Sequence, residues 1–465
     1  MEARAACFGL LRQRREFAVT LAGPSAARFI LHPSSFILPV YSPSPPVLEK
    51  VIAVGLILPD LTRSVAEEHL LELEKLIETA GGSVVDKVLA KRNSPDPATF
   101  VGSGKAEELQ QLVHAFDATL IVFDDDLSPA QARNLEKIID RKVIDRSGLI
   151  LDIFAGRARS RESRTQVELA QLEYMLPRLT KAWSHLSRQA GGIGTRGVGE
   201  TQLEIDRRIV RTRIARLKEE LTKIERTRDT QRKQRDAAFT IALVGYTNAG
   251  KSTLFNQLTR GGAEAVDKLF ATLDSKSHKA SFEMPRETVI VDTVGFIRKL
   301  PHHLVASFRS TMEEAVNADL VLHVIDGSHP QHEEQREVGE QVLADLGVAP
   351  EKVIEVYNKA DRVGDADLTS HRPRKNVVTV SALTGAGIER LIEMLREREL
   401  EGGETMRLQI PHEESRLIAK LHSVAVVMEQ TMTDGAAVFT AWVPRDQVHL
   451  FEPYSAANLL GTAAG

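Results

Sequence analysis

The 465-residue sequence contains a single cysteine, few aromatic residues and no long apolar run. Cys7 has no partner, which excludes a secreted fold held together by disulfides within the chain. Aromatic residues are only 5% of the chain, so its cores must be mainly aliphatic. No run of about 18 apolar residues occurs, so we expect no integral membrane insertion. The 42% hydrophobic and 27% charged fractions exclude a wholly disordered or fibrous chain, and the length predicts two to four domains.

Residues 1–46 differ in composition from the rest. They are rich in Ser, Pro, Phe and Arg, and Glu2 and Glu16 are their only acidic residues. We favour a disordered or mis-started leader, because the segment has no sustained amphipathic period. An organellar targeting peptide, which is also rich in Arg and poor in acids, is the alternative. A secretory signal fits less well, because four charged residues interrupt any apolar segment: Arg12, Arg14, Arg15 and Glu16.

Residues 47–156 alternate strand and helix patterns, which predicts a small α/β subdomain. Residues 51–58 and 118–123 are typical of buried strands. Ser128 followed by Pro129 is typical of a helix start, with Ser as the N-cap. Residues 102–105 have the composition of a phosphate-binding loop but not its spacing, so we interpret them as a tight turn before a helix.

Residues 157–236 carry two heptad-spaced apolar series, separated by a segment with five glycines at 191–199. This arrangement predicts an antiparallel helical hairpin with a glycine-rich tip. The two predicted seams are Leu169, Leu172, Leu176, Leu179, Trp183 and Leu186, then Val210, Ile214, Leu217, Leu221 and Ile224.

The charge of the chain is divided unevenly. Residues 157–236 contain 20 basic and 11 acidic residues, a net charge of +9, so the remainder carries −13 of the total of −4. A basic hairpin suits RNA, whereas the alternative is an ordinary solvated coiled coil. The tip favours RNA, because its glycines cost conformational entropy yet permit close approach of the backbone to a ligand, with Arg196 among them.

Residues 245–252 match GxxxxGK[ST] and follow a buried-strand pattern at 241–244. In this context the loop amides bind phosphate, Lys251 contributes positive charge at the β- and γ-phosphates, and Ser252 is a Mg²⁺ ligand. The predicted binding residues are Gly245, Tyr246, Thr247, Asn248, Ala249, Gly250, Lys251, Ser252 and Thr253. Asn248 is also a candidate ligand of a monovalent cation.

Three shorter motifs follow in order, each after a strand pattern: DxxG, NKxD and SAL. The Asp361 carboxylate can accept two hydrogen bonds from guanine, and adenine lacks that donor pair, so the motifs predict GTP rather than ATP. Ligands of doubly wound sheets bind at the carboxyl ends of strands, so the four motifs together predict a GTPase domain at 237–400. Their residues are Asp292, Thr293, Val294 and Gly295; Asn358, Lys359 and Asp361; and Ser381, Ala382 and Leu383.

A further segment must supply a threonine that senses Mg²⁺ and the γ-phosphate, and we assign Thr272. The predicted binding residues there are Phe270, Ala271, Thr272 and Leu273. The predicted metal ligands are Ser252 and Thr272, with Asp292 acting through water, and the predicted catalytic residues are Lys251, Thr272 and Gly295. Phe296 stands where many small GTPases have a glutamine that orients water, so either another group or a partner positions the water, and we expect slow basal hydrolysis.

The sequence resembles the HflX family within the Obg–HflX group of GTPases. The resemblance covers about residues 47–465 and rests, besides the GTPase motifs, on residues 100–105, 123–129, 143–146 and 191–208. It implies an α/β multidomain fold in which the small α/β domain with its hairpin precedes a doubly wound GTPase sheet. A small α+β domain follows at 401–465, with strand patterns around 406–410, 424–428 and 437–443.

The same resemblance implies binding to the large ribosomal subunit and its rRNA, with the tip near the peptidyl transferase centre. It implies splitting, rescue or recycling of ribosomes under stress, coupled to GTP hydrolysis with Mg²⁺. We expect a cytoplasmic monomer, and leave peripheral membrane association open. The tip departs from the family pattern at Ala190 and Val198, where a glycine and a proline are usual.

Two other hypotheses stay open at this point. One is a regulatory GTPase switch that binds a protein partner through the hairpin as a coiled coil. The other is an ATP-driven RNA remodeller with a second nucleotide site, which no second GxxxxGK[ST] supports.

Overall fold

The structure is a computed structural model of the full chain. It describes residues 49–179, 202–233, 238–259, 269–270, 272–282, 284, 286–299, 314–363, 376–433 and 435–455. The predicted leader, the glycine-rich tip with Arg196, Trp183, Leu186 and Ala271 lie outside these residues. No helix within the described ranges combines the length and the apolarity that a bilayer span requires.

The N-terminal sheet has four parallel strands in the order β2-β1-β3-β4. Helices cover both of its faces, so the inner strands are apolar on both sides: Val51 and Ala53 are buried on one face, Ile52 and Val54 on the other. Its elements are β1 (Glu49–Ile57), α1 (Arg63–Ala80), β2 (Gly82–Lys91), α2 (Ser103–Phe116), β3 (Leu120–Phe123), α3 (Pro129–Ile139), β4 (Lys142–Asp145) and α4 (Arg146–Arg157).

Local sequence accounts for two of these helix starts. Ser128 caps α3 in a reciprocal capping box with Gln131, and Pro129 occupies the first turn, as predicted. Gly102 has a φ of 91° and directly precedes α2. Residues 103–105 are the first turn of α2 itself, so the interpretation of 102–105 as a turn before a helix holds for Gly102 and is wrong for the other three.

Two helices, α5 (Arg161–Met175) and α6 (Gln202–Lys233), pack along each other and form the part of the hairpin that is described; we call this pair the arm. Arg161 pairs with Glu220 and Glu168 with Arg213, so the helices are antiparallel. Leu169, Leu172 and Leu217 are the buried residues of their seam, with three partly buried neighbours: Val210, Ile214 and Leu221.

The first seam ends earlier than predicted. The α-helix stops at Met175, and Leu176–Arg178 form a 3₁₀ turn with Pro177 in it. Proline has no N–H and cannot continue the α-helical hydrogen bonding, so the expectation that Leu176 and Leu179 lie on the same α-helix is wrong.

The central sheet has six strands in the order β10-β9-β8-β5-β7-β6, all parallel except β6. The order reverses at β5, which lies between β8 and β7, as in a doubly wound fold. Its elements are β5 (Phe239–Gly245), α7 (Lys251–Thr259), β6 (Lys276–Ala280), β7 (Thr288–Asp292), β8 (Leu320–Asp326), α8 (His332–Asp345), β9 (Val353–Asn358), β10 (Val377–Thr379) and α9 (Ile388–Glu401).

A three-stranded antiparallel sheet, β11-β13-β12, completes the chain. The predicted strand around residues 424–428 begins later, because Val424 is the last residue of a helix. The elements are β11 (Gly403–Pro411), α10 (Ser415–Val424), β12 (Val426–Met432), β13 (Ala436–Pro444) and α11 (Val448–Phe451). The predicted α/β multidomain fold class, with a P-loop sheet between smaller pieces, is confirmed.

A buried cation, Arg146, joins helices and strands of the N-terminal sheet. Its guanidinium donates to Asp124 at 2.6 Å and to Glu72 at 2.9 Å, and its side chain is 1% exposed. Such a charge is tolerated in the interior only because both carboxylates are in place, and each carboxylate depends on it in turn.

We predict that Arg146→Ala lowers the free energy of unfolding by about 3–5 kcal/mol, because it removes the fully buried cation that bridges Asp124 and Glu72 and leaves part of their buried charge uncompensated. Chemical denaturation measures the change. The control is Arg390→Ala, which removes a 58% exposed arginine paired with Glu393 and should leave the free energy of unfolding nearly unchanged. Equal losses in the two variants would show that the buried cluster contributes no special stability.

Candidate functional site

The site is built around the loop between β5 and α7. Gly245 has a φ of 145°, and a Cβ there would lie 2.1 Å from the carbonyl oxygen of Val324. Gly250 has a φ of 91°, and a Cβ there would lie 2.2 Å from Asn358 Nδ2. Only glycine permits these backbone angles and approaches, so the two glycines of the motif fix the path of the loop.

Lys251, the first residue of α7, is almost completely buried, with 7% of its surface exposed. Its ammonium donates to the carbonyl oxygens of Gly245 and Tyr246 at 3.1 and 2.9 Å. Burial lowers its pKa to about 8, and the nearby Asp292 carboxylate opposes that shift. The Lys251 ammonium is thus held against the loop carbonyls with little access to water.

Three oxygen-bearing side chains meet beside the loop. Asp292 Oδ2 accepts hydrogen bonds from Ser252 Oγ at 2.7 Å and Thr272 Oγ1 at 2.9 Å, and the two hydroxyls are 3.1 Å apart. Asp292 is fully buried, and within the described residues its Oδ1 has no hydrogen-bond partner. Hard oxygen donors around an unsatisfied buried carboxylate fit a Mg²⁺ ion.

At the other end of the site, Asn358 connects three segments. Its side-chain amide donates to the Ala249 carbonyl at 2.9 Å, and its Oδ1 accepts from the Ala382 amide at 2.9 Å. Asp361 accepts from the Ser381 hydroxyl at 2.5 Å. The NKxD and SAL segments are therefore fastened to each other and to the phosphate loop.

One open cavity runs between these two ends. Most of the predicted site residues line it: Thr247, Asn248, Gly250, Lys251, Ser252, Thr253, Phe270, Thr272, Thr293, Gly295, Asn358, Lys359, Asp361, Ala382 and Leu383. Arg362 also lines the cavity and was not predicted, although its position next to Asp361 was an available signal.

The remaining predicted residues, Ala271 apart, are in place but do not line the cavity: Gly245, Tyr246, Ala249, Leu273, Asp292, Val294 and Ser381. Leu273 and Val294 are buried in the hydrophobic core. The Tyr246 side chain reaches out of the site, because its hydroxyl donates to Glu72 of α1 and accepts from the Arg298 amide at 2.9 Å.

Residues 295–299, which we call switch II, pair with the phosphate loop. The Phe296 amide donates to the Gly245 carbonyl at 2.9 Å, and the Thr247 amide donates to the Phe296 carbonyl at 2.7 Å. The Phe296 ring is 2% exposed within the core, so it does not face the reaction. Its burial agrees with the expectation that this side chain takes no part in orienting water.

Switch II also contacts the N-terminal sheet. Lys299 reaches Asp124 at 2.7 Å and Asp125 at 2.5 Å, and Arg298 reaches Glu72 at 3.3 Å. Sequence reasoning missed these contacts. The available signal was the acidic triplet at 124–126, directly after a buried parallel strand, where the fold gathers binding groups.

Three family models match successive parts of the chain. "GTP-binding GTPase N-terminal" matches residues 67–155, "GTP-binding GTPase Middle Region" matches 157–235, and "50S ribosome-binding GTPase" matches 240–359. The first two divide the chain at the start of the arm, and the third ends within the NKxD motif.

Relatives match over most of their length. A GTPase HflX of Lacrimispora saccharolytica is 49% identical over 332 residues, 71% of this chain and 78% of that protein. A GTPase HflX of Escherichia coli is 44% identical over 378 residues, 80% of this chain and 88% of that protein. A solved GTP-binding protein of Sulfolobus solfataricus in complex with GDP is 24% identical, with a TM-score of 0.40, over 76% of this chain and 99% of that one.

We predict that affinity for GDP falls as the pH rises through about 8, the lowered pKa of Lys251, because phosphate binds the ammonium and not the amine. Below that pH the lysine is charged in the empty protein and affinity is constant. Calorimetric titration between pH 7 and about 9 measures the slope. The control is Lys251→Arg, whose guanidinium stays protonated. The same slope in that variant would show that another group titrates.

We predict that Asp361→Asn weakens GDP binding by about 100-fold or more, because a carboxylate that accepts from guanine is replaced by an amide that also donates. The variant should favour xanthosine diphosphate, whose extra oxygen accepts that donor. Competition between the two nucleotides measures the preference. Asp140→Asn, at an aspartate far from the cavity with 87% of its side chain exposed, is the matched control. Unchanged GDP binding by Asp361→Asn would contradict the assignment of base recognition.

Proposed function

The chain belongs to the HflX family of GTPases and is a GTP hydrolase, and from this premise we propose that it binds the large ribosomal subunit. We propose further that GTP binding and hydrolysis drive the splitting, rescue or recycling of ribosomes. The observation that carries the proposal is a basic arm joined directly to a GTP site. The family model described as "50S ribosome-binding GTPase" supports the choice of partner.

The charge of the arm supports rRNA as its ligand. The seam of α6 packs on α5, and Arg211, Arg216 and Lys223 are exposed on other faces of the helix. Exposed cations along one helix bind phosphates and release counterions, which makes the binding sensitive to salt. We propose that residues 157–236 form this contact and that the protein acts as a monomer in the cytoplasm, where ribosomes are found.

We propose the following roles in hydrolysis. The amides of the phosphate loop and the Lys251 ammonium bind the phosphates, and the Gly295 amide contacts the γ-phosphate. Ser252 and Thr272 would hold Mg²⁺, with Asp292 behind them, and the ion supplies neutralisation of phosphate charge when bound. Asp361 and the SAL segment recognise guanine.

In this proposal a partner positions the attacking water. Phe296 has no group that can donate to or accept from water, and its ring lies in the core. Basal hydrolysis is therefore slow, and ribosome binding accelerates it by supplying or ordering the missing group.

We predict that the protein co-sediments with large subunits in the presence of a non-hydrolysable GTP analogue. Arg211→Glu combined with Arg216→Glu should weaken this binding and flatten its salt dependence, because fewer counterions are released. The control is Arg416→Glu with Lys420→Glu, which makes the same charge change on exposed residues of α10. Folded, nucleotide-bound protein that stays out of the subunit peak would contradict the proposal. A pull-down complex that persists after RNase treatment and contains no ribosomal protein would favour the regulatory switch.

A further inference from the structure

The segment that carries Thr272 is fastened to the first helix of the arm; we call residues 270–274 switch I. The Asp274 carboxylate accepts hydrogen bonds from the backbone amides of Arg159 and Ser160 at 3.0 and 3.1 Å. The Ser160 hydroxyl donates to the other carboxylate oxygen of Asp274 at 2.6 Å. A helix N-terminus has unpaired amides and a positive dipole end, so it is a favourable place for a carboxylate.

The charge state of Asp274 fits this contact. Burial alone would raise its pKa, but the hydrogen bonds from Ser160, Ser163 and the amides at the start of α5 lower it below the ordinary value.

Switch I is also held on the other side of Thr272. Phe270 has a φ of 54°, a conformation that is uncommon for a residue with a side chain. Its ring meets the ring of Phe154 in α4 edge to face, with centroids 4.7 Å apart and planes at 82°. Both rings are buried, so the contact contributes apolar burial besides the aromatic geometry.

Thr272 lies between these two attachments. Its hydroxyl lies 2.9 Å from Asp292 Oδ2 and 3.1 Å from Ser252 Oγ, and the residue is 8% exposed. Two attachments thus hold the segment at the predicted metal site, and the groups that form them, Phe154 and Ser160, precede the GTPase sheet in sequence.

We propose that Ser160 and Asp274 are positioning residues for GTP hydrolysis, which hold Thr272 at the Mg²⁺ and γ-phosphate end of the site by fastening switch I to α5. A free segment would lose conformational entropy when the γ-phosphate ordered it, and the attachment removes that cost in advance. GDP lacks the γ-phosphate that Thr272 senses, so its affinity depends on the attachment less than the affinity of GTP does. The inference rests on the proposed role of Thr272 and not on ribosome binding.

The coupling works in both directions. If the attachment to α5 favours GTP over GDP, then GTP must favour the attached state of α5 by the same factor. The first turn of the arm is consequently more ordered with GTP bound than with GDP bound.

The test compares the affinities of GDP and a non-hydrolysable GTP analogue, both with Mg²⁺, in the full-length chain. Ser160→Ala and Asp274→Ala should weaken the analogue about five- to tenfold, leave GDP within about twofold, and lower kcat. Ser160→Thr keeps the hydroxyl and should restore the native values. The matched control is Ser128→Ala, which removes the N-cap hydroxyl of α3 and should change neither affinity.

Thr272→Ala tests the role of Thr272 separately from the attachment of switch I to α5. If it weakens the analogue while Ser160→Ala weakens both nucleotides equally or neither, the attachment does not position switch I. If Thr272→Ala itself leaves the analogue unaffected, the assignment of Thr272 is wrong and the inference falls with it. Thermal unfolding checks that each variant is folded, and Ser160→Ala, which removes one oxygen, keeps the test usable if Asp274→Ala does not fold.

Hydrogen exchange gives a second readout. Amides of residues 160–175 should exchange more slowly with the GTP analogue than with GDP, and Ser160→Ala should abolish the difference. Equal exchange in the two nucleotide states of the native protein would overturn the proposed coupling.

Discussion

Two carboxylates of the N-terminal subdomain, Glu72 on α1 and Asp124 after β3, form the ionic contact on which the arrangement of the nucleotide site depends. Arg146 bridges them, Arg298 pairs with Glu72, and Lys299 pairs with Asp124. Burying such charges costs several kcal/mol per ion, and a complete set of partners is needed to offset it. Two of the cations, Arg298 and Lys299, belong to switch II. The buried carboxylates of the N-terminal subdomain therefore have all their partners only when switch II is in place.

The parallel strands explain why both sheets gather polar groups where they do. In the central sheet, the carboxyl ends of β5, β7 and β9 lead into the phosphate loop, the DxxG and the NKxD, and these surround an open cavity. The N-terminal sheet obeys the same rule, with Asp124 and Asp145 at its edge. There the edge is closed by the chain's own cations, Lys299 and Arg178, which occupy the place a ligand would take.

How far the fold could be predicted depended on whether a segment carried a local pattern. Apolar β1, β3, β5 and β9 and the capped start of α3 were identified, because burial and capping leave a signal within a few residues. Strands β2, β4, β6 and β8 were not predicted; β8 is a buried apolar run whose signal was overlooked, whereas the edge strands β2 and β6 carry a weaker signal. β6 is mostly exposed, and β2 carries Asp86 and Lys87, so neither shows the apolar run of an inner strand. The early end of α5 was overlooked because the heptad spacing was weighed above Pro177.

By itself, the sequence identified the residues that we assign to phosphate, metal and guanine, since spacing along one loop or one strand end fixes those groups relative to each other. It also determined the basic charge of the arm. Only the tertiary structure decided that Tyr246 contacts Glu72, that Asp274 binds Ser160 at the start of α5 and that Lys299 pairs with Asp124. These partners lie more than a hundred residues apart, and no local periodicity or spacing encodes a contact that packing alone creates.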